Sequence, residues 1–144
     1  MTNRTLDLVR RNYEALNSIG RTGAEFVDLE DLAPDLWAGL APDLELHERS
    51  DLPDAKVYRG RQEAMEFFRK TLELFSEIRW EPRDFSDLGH AVVVEVRLVG
   101  RGRGSDVPIE ADEVDVFWFR DGLISRIAGF PTRAEALAAA RADG

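Results

Sequence analysis

From Ile78 onward the apolar residues of this chain change their spacing, and that change limits the fold more than any other feature. Before it they recur every three or four residues. Leu6, Val9, Tyr13 and Leu16 mark a helix over Asn3–Asn17, capped by Asn3 or Thr5 and ended by Gly20 and Gly23. Ala64, Met65, Phe68, Leu72 and Phe75 mark another over Arg61–Phe75. Between them lie a helical region from about Ala24 to Leu40, broken near Pro34, and a short strand over Asp43–Arg49 that puts Leu44, Leu46 and Glu48 on one face. After Ile78 the period is two. Glu77–Phe85, His90–Val99, Val107–Arg120 and Leu123–Phe130 read as strands, the last pair joined by an Asp121-Gly122 hairpin turn, and Arg133–Arg141 closes the chain as an Ala-rich helix. Helices followed by a meander of strands indicate an α+β fold with an antiparallel sheet.

Composition narrows what such a fold does. At 144 residues the chain is one domain, 1–144, with enough interior for a core and a cavity. Nineteen basic against 28 acidic residues give a net charge of −9, which speaks against nucleic acid and anionic membrane surfaces as partners. Without cysteine there is no disulfide framework or thiolate nucleophile. Met1–Asp7 lacks the apolar stretch of a signal peptide and no apolar run is long enough for a membrane span, so the expected location is cytoplasmic. Two histidines without a convergent acidic cluster imply no metal site, and nothing implies a cofactor. The Gly100, Gly102 and Gly104 run joins strand to strand with no helix behind it, so it reads as a hairpin with solvated Arg101 and Arg103 and not as a phosphate loop.

Val107–Arg120 carries the most information. Its odd positions include Ile109, Ala111, Glu113, Asp115, Phe117 and Phe119; its even positions include Val114, Val116 and Trp118. A strand apolar on both faces must be covered twice, and a second copy of the sheet, packed as a homodimer through the outer face, supplies the missing cover. The alternative is a monomer that exposes Val114, Val116 and Trp118. Asp115 shares its face with Phe117. Desolvated there, it acts as an acid or base near neutral pH; paired with Arg126 on the next strand, it is a structural ion pair.

These residues carry a resemblance. Leu40–His47 (LAPDLELH), Val57–Phe68 (VYRGRQEAMEFF), Val92–Leu98 (VVVEVRL) and Val116–Ile124 (VFWFRDGLI) are similar to the SnoaL-like branch of the nuclear transport factor 2-like superfamily, which includes ketosteroid isomerases and polyketide cyclases. The resemblance covers nearly the whole chain. It implies a conical barrel, a curved antiparallel sheet wrapped around N-terminal helices, with an apolar pocket and a dimer through the outer sheet face. It also implies roles. Glu48 falls where ketosteroid isomerases keep the proton-moving aspartate, and Asp115 where they keep a protonated aspartate that donates to the oxyanion. The position of their hydrogen-bonding tyrosine is filled by Asn12, with Tyr13 one residue further and about 100° around the helix.

Glu48 and Asp115 are therefore the candidate catalytic pair. Phe68, Leu72, Val94, Val96, Phe117 and Phe130 are expected to line the pocket, with Asn12, Tyr13, Trp37, Glu113 and Arg126 as further ligand contacts. His47 is expected to point away from it, and His90 to sit in a solvated turn. Two functions stay open: a cofactor-independent isomerase or cyclase acting on a small apolar carbonyl compound, or a non-catalytic module that binds a small hydrophobic molecule or dimerises.

Overall fold

A computed structural model of the chain describes residues 4–22 and 29–142. Asn3, Gly23 and residues 24–28 of the expected second helical region lie outside the described residues. The elements follow in the order α1 (Arg4–Thr22), α2 (Leu29–Leu32), α3 (Pro34–Ala38), β1 (Leu40–His47), β2 (Val57–Arg59), α4 (Gly60–Glu73), β3 (Phe75–Asp87), β4 (Ala91–Gly102), β5 (Pro108–Arg120), β6 (Leu123–Phe130) and α5 (Arg133–Ala142). The first helix continues through Gly20 to Thr22, five residues beyond the expected Asn17.

The six strands form one open sheet in the order β2-β1-β6-β5-β4-β3. The expected α+β architecture is present, with one difference: β1 runs parallel to β6, so the sheet is mixed. The other four pairs are antiparallel. Register breaks in β3, between Phe75 and Glu77 and between Pro82 and Asp84, bend that long strand, since an extra residue on one side of a ladder coils the sheet locally. The β5–β6 turn has Asp121 at φ 55° and Gly122 at φ 78°, the pair of left-handed residues a two-residue hairpin requires.

The inner face of the sheet and the first helices share one core. Val9, Tyr13 and Leu16 of α1, Ala64, Met65 and Phe68 of α4, and Val92, Val94, Val96 and Phe117 of the sheet are all buried in it. Helix α1 is fixed to β3 by a two-way amide contact. Asn17 donates to the Trp80 carbonyl at 2.9 Å and accepts from the Trp80 backbone N–H at 2.7 Å.

The outer face is covered from within the chain. Ala91, Val93, Val114, Val116, Trp118 and Ala128 pack against Ala136 and Ala140 of α5. Val116 is fully buried and Trp118 only 6% exposed within one chain, so α5 covers this part of the outer face. Small side chains let α5 lie close to the sheet. Thr132 accepts from the Glu135 N–H at 3.2 Å and donates to its carboxylate, a reciprocal N-terminal cap, and His90 donates to the Ala140 carbonyl at 2.7 Å near the other end. His90 is thus a half-buried helix anchor and not a solvated turn residue.

Ala136→Asp places a carboxylate against the buried outer stripe and is expected to cost about 3 kcal/mol or more, whereas Ala134→Asp on the exposed side of α5 changes stability by less than about 0.5 kcal/mol. Urea unfolding of the two variants measures the difference.

Candidate active site

Between α1, α4 and the concave face of the sheet lies a cavity of about 170 Å³. Its walls are largely apolar, with Phe67 and Phe68 from α4, Trp80 from β3, Phe117 from β5 and Ile127 from β6 among them. Asp115 sits against this space and is 8% exposed. Across the ladder it faces Val94 on one side and Gly129 on the other. Gly129 leaves room beside the Glu113 carboxylate, which also lines the cavity: a Cβ built there would lie 3.2 Å from it, and Glu113 would have to shift.

The hydroxyl of Tyr13 donates to Asp115 Oδ2 at 2.7 Å, with the Tyr13 ring edge-on to Phe117 at 5.7 Å. Burial raises the Asp115 carboxyl well above the ordinary aspartate range, and the neighbouring Glu113 charge and a hydrogen bond to Glu113 add to the shift; the Tyr13 bond partly offsets it. Burial, and then the Asp115 charge, likewise raise the Tyr13 phenol. Leaving an ionised carboxylate in such surroundings costs several kcal/mol, so Asp115 resolves the conflict by keeping its proton.

The ion pair with Arg126 does not form. A bulge explains why. From the Arg120–Leu123 pair, an unbroken hairpin would set Arg126 opposite Phe117 and Phe130 opposite Glu113, on the inner face. The register instead shifts between Trp118 and Phe119, so Trp118 pairs with Arg126 and Val114 with Phe130. Both side chains turn to the outer face, because a one-residue slip inverts every later position. Arg126 lies over the Trp118 ring at 3.9 Å from its centroid, and Phe130 packs with the outer cluster. Ile127 and Gly129 take the inner places.

Glu48 follows the last residue of β1 and lines the same cavity as Asp115. Half-buried at the cavity wall, it accepts from the Tyr58 hydroxyl at 2.8 Å. Asn12, Tyr13, Phe68, Glu113 and Phe117 also line the cavity. Leu72, Val94 and Val96 belong instead to the packed core around it. Trp37 is elsewhere on the core's margin, beneath the Arg61 guanidinium at 4.9 Å. His47 is paired with Glu45 at 3.0 Å, though it touches the cavity wall. Phe67 and Trp80, read from sequence as core aromatics of which some could line a cavity, do line it, and sequence reasoning missed Thr71 on α4 and Ile78 and Leu98 from the long β3–β4 hairpin. Their alternation was visible, but the strand bends that select among them were not.

Residues 9–127 match the SnoaL-like domain family. The chain belongs to that family. Among solved structures, it is similar to an NTF2-like protein of unknown function from Burkholderia pseudomallei, at 21% identity and a TM-score of 0.71, covering 95% of this chain and 97% of that one. A putative SnoaL-like polyketide cyclase from a Jannaschia species matches at 19% identity and TM-score 0.70, covering 95% and 90%. A hypothetical protein with a ketosteroid isomerase-like fold from Catenulispora acidiphila, in complex with trimethylamine, matches at 14% identity and TM-score 0.68, covering 92% and 90%. These likenesses establish the SnoaL-like fold. No curated protein matches the sequence significantly. Among the described residues no helix is long and apolar enough to cross a membrane.

The raised Asp115 carboxyl has a thermodynamic consequence. The folded protein holds this proton more tightly than the unfolded chain, where aspartate titrates near about 3.9. Its contribution to stability is therefore complete below about pH 4 and is lost as pH rises through the folded value. Asp115→Asn, which keeps an acceptor for Tyr13, is expected to gain stability relative to the wild type progressively as pH rises over that window. Tyr13→Phe removes the one contact that favours the charged form, and extends the window upward. Urea titrations across a pH series read both effects.

Proposed function

We propose that this SnoaL-like protein is a cofactor-independent enzyme that moves a proton on a small apolar carbonyl compound, an isomerase or cyclase working by carboxylate acid–base chemistry. The observation that carries the reading is the buried Asp115, held by Tyr13 at 2.7 Å on an apolar cavity that Glu48 shares. A neutral carboxylic acid in a water-poor site is a hydrogen-bond donor aimed where negative charge develops on a carbonyl oxygen. Glu48, nearer solvent and fixed by Tyr58, has the freedom to take a proton from the carbon beside that carbonyl.

In this sequence of events the Glu48 carboxylate removes the carbon-bound proton and the electron pair moves onto the carbonyl oxygen. Asp115 donates a hydrogen bond to the resulting enolate. Glu48 then returns the proton, to the same carbon or to another, and is regenerated as a carboxylate. Tyr13 orients Asp115 by donating its hydroxyl to Oδ2, and Glu113 disfavours the ionisation of Asp115. The polyketide cyclase and ketosteroid isomerase-like names among the structural neighbours are compatible with this class of chemistry.

Exchange of α-protons of cyclohexanone in D₂O, followed by NMR, tests the step without knowledge of the natural substrate. The wild type is expected to accelerate exchange above buffer. Glu48→Gln should lower kcat/KM by roughly a hundredfold or more, the ordinary range for loss of a general base. The wild-type rate should fall on the alkaline side as Asp115 ionises, and Asp115→Asn, still a donor, should lose that limb. Binding of the ketone with no exchange in the wild type would instead identify a non-catalytic binding module.

A further inference from the structure

One polar group on the cavity wall is not used by anything described so far. Asn12 lies on α1 next to Tyr13, is 4% exposed, and lines the cavity. Among the described residues no protein group donates to or accepts from its carboxamide, which faces the cavity. The contrast with Asn17 on the same helix is direct, since both amide atoms of Asn17 are taken up by the Trp80 backbone. A carboxamide on a cavity wall that no protein group engages is left to meet whatever fills the cavity. Nothing in the packing of α1 requires it, because Val9, Tyr13 and Leu16 already supply the helix's apolar contacts.

We infer that Asn12 is a specificity-determining residue that receives a hydroxyl group of the ligand, so that the substrate class is a small hydroxy ketone and not a plain ketone. The inference rests on the carbonyl-binding reading above, since the first oxygen is the one Asp115 addresses. Successive helical residues diverge by about 100°, so Asn12 and the Tyr13–Asp115 pair meet different points of one bound molecule. A carboxamide offers both a donor and an acceptor, and a hydroxyl satisfies both at once by accepting from Nδ2 and donating to Oδ1. A second carbonyl would satisfy only Nδ2. The remaining wall, formed by rings such as Phe67, Phe68 and Phe117, suits the hydrocarbon frame between the two oxygens. Asn12 takes no part in the proton transfer itself; it discriminates by what it would leave unpaired if the hydroxyl were missing.

The test compares cyclohexanone with 4-hydroxycyclohexanone, measuring Kd by NMR titration and α-exchange in the same samples. The wild type is expected to bind the hydroxy ketone about tenfold more tightly, the worth of one well-made hydrogen bond. Asn12→Leu, similar in volume and apolar, should bring the ratio to about one. In the wild-type protein the Asn12 side-chain amide resonances should shift with the hydroxy ketone and stay in place with cyclohexanone, a readout that needs no variant. A preference that survives in Asn12→Leu, or amide resonances indifferent to the hydroxyl, overturns the inference. Preference without exchange would leave Asn12's role intact and remove the acid–base reading, whereas exchange without preference would do the opposite. If neither ketone binds, both fall.

Discussion

A carboxyl group buried in an apolar hollow is the constraint on which the rest of this structure depends. Asp115 is placed at the centre of β5, between Val94 and Gly129, and the sheet cannot turn it outward without turning Phe117 out with it. The chain meets the cost locally. Tyr13 supplies a hydroxyl at 2.7 Å, the neighbouring Glu113 raises the Asp115 carboxyl further, and the glycine opposite gives the Glu113 carboxylate space. The same contact docks α1 on the sheet, together with the Asn17–Trp80 pair. Fold and site therefore use one interaction, and the neutral acid that the proposed chemistry needs is also the form the core can hold.

The two faces of the sheet solve different problems. Outside, alanines of α5 let a helix lie flat over Val93, Val116 and Trp118 and leave that layer closed. Inside, large rings spaced along α4 and β3 hold the helices away from the sheet far enough to leave open volume. A cavity lined by aromatic residues on rigid elements is a costly use of interior, because the lost packing contacts go unrecovered until something fills it.

Much of this was legible in the residues. The switch from a period near four to a period of two gave the order of elements, and alternation along Val107–Arg120 separated Asp115 and Phe117 from Val116 and Trp118 in agreement with the observed faces. Tyr13 as the Asp115 partner was less accessible, since it depends on how α1 is rotated over the sheet. Arg126 and Phe130 were placed on the wrong face for a definite reason. A single bulged residue, Ser125, whose hydroxyl donates to the Trp118 carbonyl, shifts the hairpin by one, and no local pattern in Leu123–Phe130 announces it. The part of the outer cover that α5 supplies was hard to read for a different reason: an Ala-rich helix looks weakly amphipathic, yet small residues are what close packing on a sheet demands.

The most direct test of the account is a carboxyl-carbon NMR titration of the aspartates in the wild type and in Asp115→Asn. The account predicts one resonance, absent from the variant, that remains in its protonated position well above the pH at which ordinary aspartates have ionised. Should every aspartate titrate near about 4 in the folded protein, Asp115 would be a charged group, and the neutral donor at the centre of both fold and chemistry would not exist.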